Sequence, residues 1–392
     1  MEMTMNVAVL PEGRCPSFTQ FLFDEIRARD FSRPTLVMSL DAVRFQYRTL
    51  AQGLGRAHIH YAVKANPHEA VLRTLLDEGA RFDAASRGEI EQCLALGADP
   101  AHISFGNTIK RPADIAFAYA AGLRLFAFDA EQELEKIAEN APGAQVYLRL
   151  LVGATGADWP LSRKFGCAPE AALGLFQRAV ELGLRPVGMS FHVGSQTRHA
   201  AMWQQTLDQV AAVWRDAQDA GFGLHLINIG GGFPAAYDYD VEAPNAYAAE
   251  VMGMVNARFP DATYVMAEPG RGMVAEAGVI AAEVLLVSRK SADDLHRWVY
   301  LDIGKFSGLA ETMDEAIRYQ FVTDKDQGDM GPCIVAGPSC DSADVLYEKR
   351  PMMLPMALTA GDKIMIKSCG AYTTTYSSVC FNGFPPLDVL IV

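Results

Sequence analysis

The sequence predicts an α/β protein: a (β/α)8 TIM-like barrel joined to a second, mostly antiparallel β domain. Three observations lead there. From about Thr35 to Gly272, short apolar runs alternate with amphipathic stretches of helical spacing, the pattern of a parallel sheet covered by helices. No GxGxxG follows the first run, although an open doubly wound sheet, the alternative architecture, would be expected to carry one. After Gly272 the long helical stretches stop, and alternating strands with Gly and Pro turns take over, as in an antiparallel sheet. The expected units are a barrel over 35–272 and a β domain made of 1–34 plus 273–392.

The elements follow in order. Leu36-Val37-Met38 reads as the first barrel strand, with a helix over Asp41 to Leu54. His58 to Val63 is the second strand, closed by the breaker Asn66-Pro67. Arg81-Phe82-Asp83, Ile103-Ser104-Phe105, Leu125-Phe126-Ala127 and Gln145 to Leu151 continue the series, each followed or preceded by a helical stretch. Gly188 to His192, Leu226 to Ile229 and Tyr264 to Ala267 complete it. Beyond it, Val279 to Val287, Trp298 to Ile303, Cys333 to Ala336, Lys363 to Ile366 and Leu390 to Val392 read as strands of the β domain.

The composition narrows the partners. The formal net charge is -13 and no Lys/Arg-rich run occurs, which argues against nucleic acid and an anionic membrane surface. It is compatible with a cationic substrate. No apolar run approaches a membrane span, and Met1 to Arg14 lacks the basic start and apolar core of a signal peptide. Seven Cys lie scattered at 15, 93, 167, 333, 340, 369 and 380, without CxxC or clustered His. No zinc site is expected, and the thiols suit a reducing cytoplasm.

In such a barrel, chemistry sits at the C-terminal ends of the strands. Lys64 ends the apolar run Tyr61-Ala62-Val63, where a lysine is costly unless paired or covalently used; the ordinary alternative is a side chain that snorkels to water. Asp83 follows the third strand, Asn107 the fourth, and Arg149 lies in the sixth. His192 ends a later strand and runs into Ser195, Gly230-Gly231-Gly232 follows another, and Glu268-Pro269-Gly270-Arg271 follows the last. Singly, each has an ordinary reading, as a core histidine or a glycine turn. Together the glycine N–H groups, the Ser195 hydroxyl and the Arg271 fork describe a phosphate cradle. A cradle, a lysine amine and the Glu268 carboxylate in one mouth point to pyridoxal 5'-phosphate (PLP). In the second domain, Cys340 stands beside Asp341 and near Asp344; nearby negative charge raises a thiol pKa, which suits a proton donor. The ordinary reading is a turn with a buried cysteine.

These residues carry a resemblance. The motifs YAVKAN, FDAAS, FGNTIK, SRKFG, FHVGSQ, INIGGGFP, AEPGR, AGPSCDSAD, GAYTT and FNGFPP occur in that order from Tyr61 to Pro386. The chain resembles the fold-type III PLP-dependent decarboxylases, which share the alanine racemase-like fold, and within them the bacterial ornithine and lysine/ornithine decarboxylases. The resemblance implies a head-to-tail homodimer with shared active sites. It makes Lys64 the Schiff-base lysine, pairs Glu268 with the pyridinium nitrogen and stacks His192 on the ring. Ser195, Gly231, Gly232, Gly270, Arg271 and Tyr372 would hold the phosphate, with Asp83 and Arg149 bracing Lys64 and the cofactor. Cys340 would come from the other subunit to protonate the α-carbon. Asp341 and Asp344 would lie near the substrate's distal amine, and Phe381 would line the site. In the loop Phe306 to Ala316, Glu315, beside Asp314, matches the position that reads the distal amine. Asn228 departs from the Asp common in eukaryotic relatives.

The implied reaction is decarboxylation of a basic L-amino acid: L-ornithine to putrescine and CO2, as in polyamine biosynthesis, or L-lysine to cadaverine. A diaminopimelate decarboxylase would carry Cys-Glu-Ser where this chain has Cys340-Asp341-Ser342. A specialised-pathway decarboxylase of a related amino acid stays open. An amino-acid racemase would need a Tyr base facing Lys64, and a non-catalytic regulator would be expected to lose Lys64 or Cys340.

Overall fold

The computed structural model describes residues 16–153, 157–159 and 164–392. Cys15 and the Ser162-Arg163 half of the SRKFG motif lie outside the described residues.

Eight parallel strands close a barrel. In spatial order they are Leu226–Asn228, Tyr264–Ala267, His58–Ala62, Arg81–Ala84, Ile103–Phe105, Leu125–Phe128, Gln145–Arg149 and Arg185–Ser190, which pairs back onto Leu226–Asn228. Their residues are mostly buried and apolar, as strands covered on the outside by helices require. Helices Glu69–Asp77, Arg87–Ala95, Pro112–Ala120, Glu131–Asn140, Ala172–Glu181, Gln204–Asp219 and Pro244–Arg258 follow the strands in turn. Several have local start signals. Ser86 caps Arg87–Ala95 by accepting from the Glu89 N–H, and a proline opens Pro112–Ala120 and Pro244–Arg258.

One expectation is corrected. Thr35–Met38 is not a barrel strand. It pairs antiparallel with residues 278–281 and parallel with Asp388–Ile391, inside the second sheet. The barrel therefore begins with a helix, Leu40–Leu54, which closes the helical ring against Pro244–Arg258. Gly53 permits that contact: a Cβ there would lie 2.2 Å from the Asn245 carbonyl oxygen.

The second sheet runs Phe321–Thr323, Lys363–Ile366, Gly278–Ser288, Arg297–Leu301, Met330–Ala336, Val345–Pro355, with Thr35–Met38 and Asp388–Ile391 attached. Five of its seven pairings are antiparallel; Thr35–Met38 with Asp388–Ile391 and Arg297–Leu301 with Met330–Ala336 are parallel. Helix Pro16–Arg27 lays Leu22, Phe23 and Ile26 on Val37, Val279, Ala281 and Met365 of this sheet.

The barrel also holds a pH-sensitive group. His60 is buried, with Nε2 2.9 Å from the Tyr264 hydroxyl. Burial, then the charges of Arg81 and His58, push it from 6.5 down to about 3. Above pH 6.5 the imidazole is neutral folded and unfolded; below it, the unfolded chain binds a proton that the folded chain refuses. Stability should therefore fall on acidification between pH 6.5 and about 3, by at most about 1.4 kcal/mol per pH unit from this group. Thermal midpoints against pH check this: His60→Gln should show a shallower acid slope, and equal slopes would place the acid lability elsewhere.

Candidate active site

Lys64 sits in the single turn Val63–Ala65 that ends strand His58–Ala62. The turn is tied down on both sides. The buried Asn66 donates from Nδ2 to the Gly370 carbonyl at 2.8 Å and accepts the His68 N–H at 3.0 Å, and the Tyr61 hydroxyl donates to the Asn66 carbonyl at 3.0 Å. Lys64 lines a cavity of about 290 Å³ at the C-terminal mouth of the barrel, together with Asp83, His192, Ser195, Gly231, Gly232, Glu268, Gly270, Arg271 and Tyr372. Its accessible surface faces this open space, while its amine is surrounded by barrel groups. Burial opposes the ammonium, but Tyr372, Asp83 and Glu268 outweigh it and hold the lysine above its ordinary value.

The two carboxylates are set apart by their surroundings. Asp83 is pushed well up by burial and by the neighbouring Glu268. Glu268 is also raised by burial, but Asn228 donates to it from Nδ2, and Arg149 and Lys64 favour its anion. Of the pair, Asp83 is the more strongly raised, because only Glu268 has an amide donor in Asn228 and the charge of Arg149 beside it. This gives Asn228 a function: its Nδ2 holds Glu268 while its Oδ1 accepts the Gly230 N–H at 2.9 Å. One side chain thus orients both the carboxylate and the glycine turn.

His192 lies just past strand Arg185–Ser190 and is held well below its ordinary value by burial, then by the charges of Arg149 and Lys64. It is a neutral ring whose Nδ1 accepts the Gly194 N–H at 3.0 Å, leaving the proton on Nε2. The glycine turn packs directly beneath it: a Cβ on Gly231 would lie 2.8 Å from the Glu268 carbonyl oxygen and 3.1 Å from His192 Nε2. Gly232 is left-handed at φ +101°, and its Cβ would meet the Gly194 carbonyl oxygen at 2.7 Å. Arg271 follows strand Tyr264–Ala267, and the left-handed Tyr372 closes over it with its ring centroid 5.0 Å from the guanidinium.

This architecture fits PLP. A backbone cradle that admits no Cβ is joined by a serine hydroxyl, a neutral ring, a carboxyl group held by Asn228 and a lysine amine in one cavity. The cradle would take the phosphate, Glu268 the pyridine nitrogen and Lys64 the aldehyde carbon.

Other expected residues stand elsewhere. Glu315, the expected reader of a distal amine, does not line the cavity. Its backbone and that of Asp314 are left-handed (φ 57° and 53°), which turns the Glu315 carboxylate onto strand Val345–Pro355. There it accepts N–H groups of Glu348, Lys349 and Arg350 and pairs with Arg318 at 3.2 Å. Asp344 is likewise consumed locally, accepting from Lys305 N–H at 2.7 Å and from Ser339 Oγ at 2.6 Å. Cys340 and Asp341 are exposed on the loop after strand Met330–Ala336, and Phe381 packs on Phe306 at 4.8 Å between ring centroids. None of these lines the Lys64 cavity. Arg149 acts on Lys64, Glu268 and His192 by its charge, with its guanidinium 4.8 Å from the Phe165 ring centroid. Asn107 builds a loop, donating to the Ala85 carbonyl and accepting the Ile109 N–H. Two cavity residues have no counterpart in the sequence reading, Glu311 and Tyr376. The one available signal for Glu311 was its place in the same loop, four residues before Glu315.

A barrel with this lysine, carboxylate and glycine constellation, backed by a β domain, defines a barrel-type PLP enzyme. Residues 40–275 match the family of pyridoxal-dependent decarboxylases through its pyridoxal-binding domain. The chain belongs to that family. It is 35% identical over 361 residues to a lysine/ornithine decarboxylase of Selenomonas ruminantium, covering 91% of this chain and 89% of the relative. It is 31% identical over 359 residues to an ornithine decarboxylase of Schizosaccharomyces pombe, covering 89% and 81%. Among solved structures, a lysine/ornithine decarboxylase from Vibrio vulnificus complexed with cadaverine superposes with a TM-score of 0.85 at 33% identity, covering 95% of this chain and 98% of that one.

Proposed function

We propose that this PLP-dependent decarboxylase acts on a basic L-amino acid, converting L-ornithine to putrescine and CO2, with L-lysine to cadaverine as a second reaction. The observation that carries the chemistry is Lys64 in one cavity with the glycine cradle, under the charges of Asp83 and Glu268. The substrate class rests on similarity to lysine/ornithine and ornithine decarboxylases and on the exposed Asp341 beside Cys340. The working molecule is a cytoplasmic homodimer. Its units are a cofactor-binding barrel that begins at helix Leu40–Leu54, rather than at the expected residue 35, and a β domain that includes strand Thr35–Met38 by its pairing.

When bound, PLP supplies the electron sink that accepts the pair left behind as the α-carboxylate departs as CO2. The chain's residues prepare for that step. Gly231, Gly232 and the Ser195 hydroxyl would hold the phosphate, and the neutral His192 would pack on the ring. Glu268, oriented by Asn228, would pair with the pyridine nitrogen and hold its proton there. Lys64 would hold the cofactor to the strand end through its amine, which the substrate amine would replace. Asp83 and Arg149 fix the electrostatics around its Nζ. Cys340 of the partner subunit delivers a proton from Sγ to the α-carbon, and Asp341 of the partner subunit faces the distal ammonium.

Mass spectrometry of products from ornithine, lysine, arginine and diaminopimelate tests this reading. Putrescine should be the principal product, with cadaverine second. Turnover of diaminopimelate alone, or epimerised amino acid without loss of CO2, would replace it.

A further inference from the structure

Arg271 carries the positive charge of the phosphate cradle, yet its donors are already engaged. Nε and Nη2 donate to Ser195 Oγ at 3.3 and 3.2 Å. Nη1 donates to the Tyr237 hydroxyl at 2.8 Å and to Glu311 Oε2 at 2.7 Å, and Nη2 donates to Glu311 Oε1 at 2.5 Å. An arginine has five N–H groups, and these bonds use all of them. The Arg271 and Glu311 side chains are only 3% and 7% exposed, and both residues line the Lys64 cavity. Two parallel N–H to oxygen bonds are also how an arginine grips a phosphate. The Glu311 carboxylate holds the seat that a phosphate would take.

We propose that Glu311 competes with the cofactor's phosphate for Arg271 and thereby sets how tightly PLP is held. The proposal rests on the PLP reading of this cavity. Two arrangements are open to a phosphate arriving at Gly231 and Gly232. In one, Arg271 turns its fork to the phosphate and leaves the Glu311 carboxylate buried and unpaired beside a second anion. In the other, Arg271 stays on Glu311. The phosphate is then held by glycine N–H groups and by the Ser195 hydroxyl, whose hydrogen is free because its oxygen accepts from Arg271. Glu311 weakens phosphate binding in both, by competition in the first and by cancelling the arginine charge in the second. In the empty site it has the opposite effect, since a buried guanidinium without its carboxylate is strongly destabilising. Glu311 is a positioning residue: it stabilises the apoprotein and loosens the cofactor.

The test uses apoprotein titrated with PLP, and separately with pyridoxal, which lacks the phosphate, followed by visible absorbance. Thermal midpoints are measured with and without PLP. Glu311→Gln should bind PLP about tenfold more tightly, the scale of one charge-assisted hydrogen bond. Its affinity for pyridoxal should not change. Its apoprotein should melt lower than wild type, and the gap between apo and loaded midpoints should widen. If Glu311→Gln folds only with cofactor, its PLP release on dilution should be slower than that of wild type. Glu311→Asp, which keeps the charge, should stay near wild type. PLP affinity that is unchanged or weaker in Glu311→Gln, with equal losses in both midpoints, would reduce Glu311 to a structural brace and overturn the proposal. Wild-type protein that binds neither PLP nor pyridoxal would instead overturn the cofactor reading, and this proposal with it.

Discussion

Lys64→Ala is expected to lower turnover by about 10³-fold or more while leaving the barrel folded. General acid–base assistance from one side chain contributes on the order of 10²–10⁴, and Lys64 adds the covalent tie to the cofactor. The variant should still take up PLP, because the glycine cradle and Ser195 do not depend on the amine. Borohydride treatment of the wild type should bleach the visible band and leave the cofactor's mass on the peptide containing Lys64; the variant should carry no adduct. Lys110 is a poor substitute. It is fully buried and already donates to the Asn107 and Ala127 carbonyls and pairs with Glu133 at 3.0 Å. Removing Lys64 also takes a positive charge from beside Asp83 and Glu268, both of which it now draws down. Their pKa values should rise further, and the band of bound cofactor should change with pH at a higher value. Wild-type turnover in the variant, or an adduct on another lysine, would sink the assignment.

The parts of this site that could be read from sequence are those set by short-range chemistry. Lys64 stands out because Asn66-Pro67 ends its strand, and Gly231 and Gly232 because no side chain fits where they pack. What could not be read depends on partners far along the chain. Thr35–Met38 is an apolar run buried on every residue, and nothing local separates a barrel strand from one buried between a helix and another sheet. Its identity comes from residues 278–281 and 388–391. Glu315 keeps the right spacing for a substrate carboxylate, but two consecutive left-handed residues turn it away, and such a backbone has no signature in Asp-Glu. The meaning of Asn228 and Glu311 is fixed by Glu268 and Arg271, each about forty residues away in sequence. Sequence patterning reports burial and periodicity; it does not report which donor a buried carboxylate will find.

The second large effect concerns where the site ends. Lys64 lines the cavity, whereas Cys340, Asp341 and Phe381 of the same chain do not. Cys340 is exposed, its N–H held 3.1 Å from Asn382 Oδ1, so that the loop carrying the thiol and the segment carrying Phe381 form one local unit. A head-to-tail twofold dimer would lay this unit from one chain over the Lys64 cavity of the other, and each site would then need both chains. Lys64→Ala and Cys340→Ala proteins are each expected to be nearly inactive in forming diamine. Mixed in equal amounts and allowed to exchange subunits, they should recover activity. Random pairing makes about half the dimers mixed, and in each of these one site combines an intact Lys64 with an intact Cys340 while the other carries both lesions. Recovery should therefore approach about a quarter of wild type. If Lys64 and Cys340 instead served one site within a chain, every site in the mixture would carry a lesion and no activity would return. Exchange is verified independently by mass-labelled chains. No recovery in a mixture shown to have exchanged would refute the shared site and return Cys340 to an exposed surface loop.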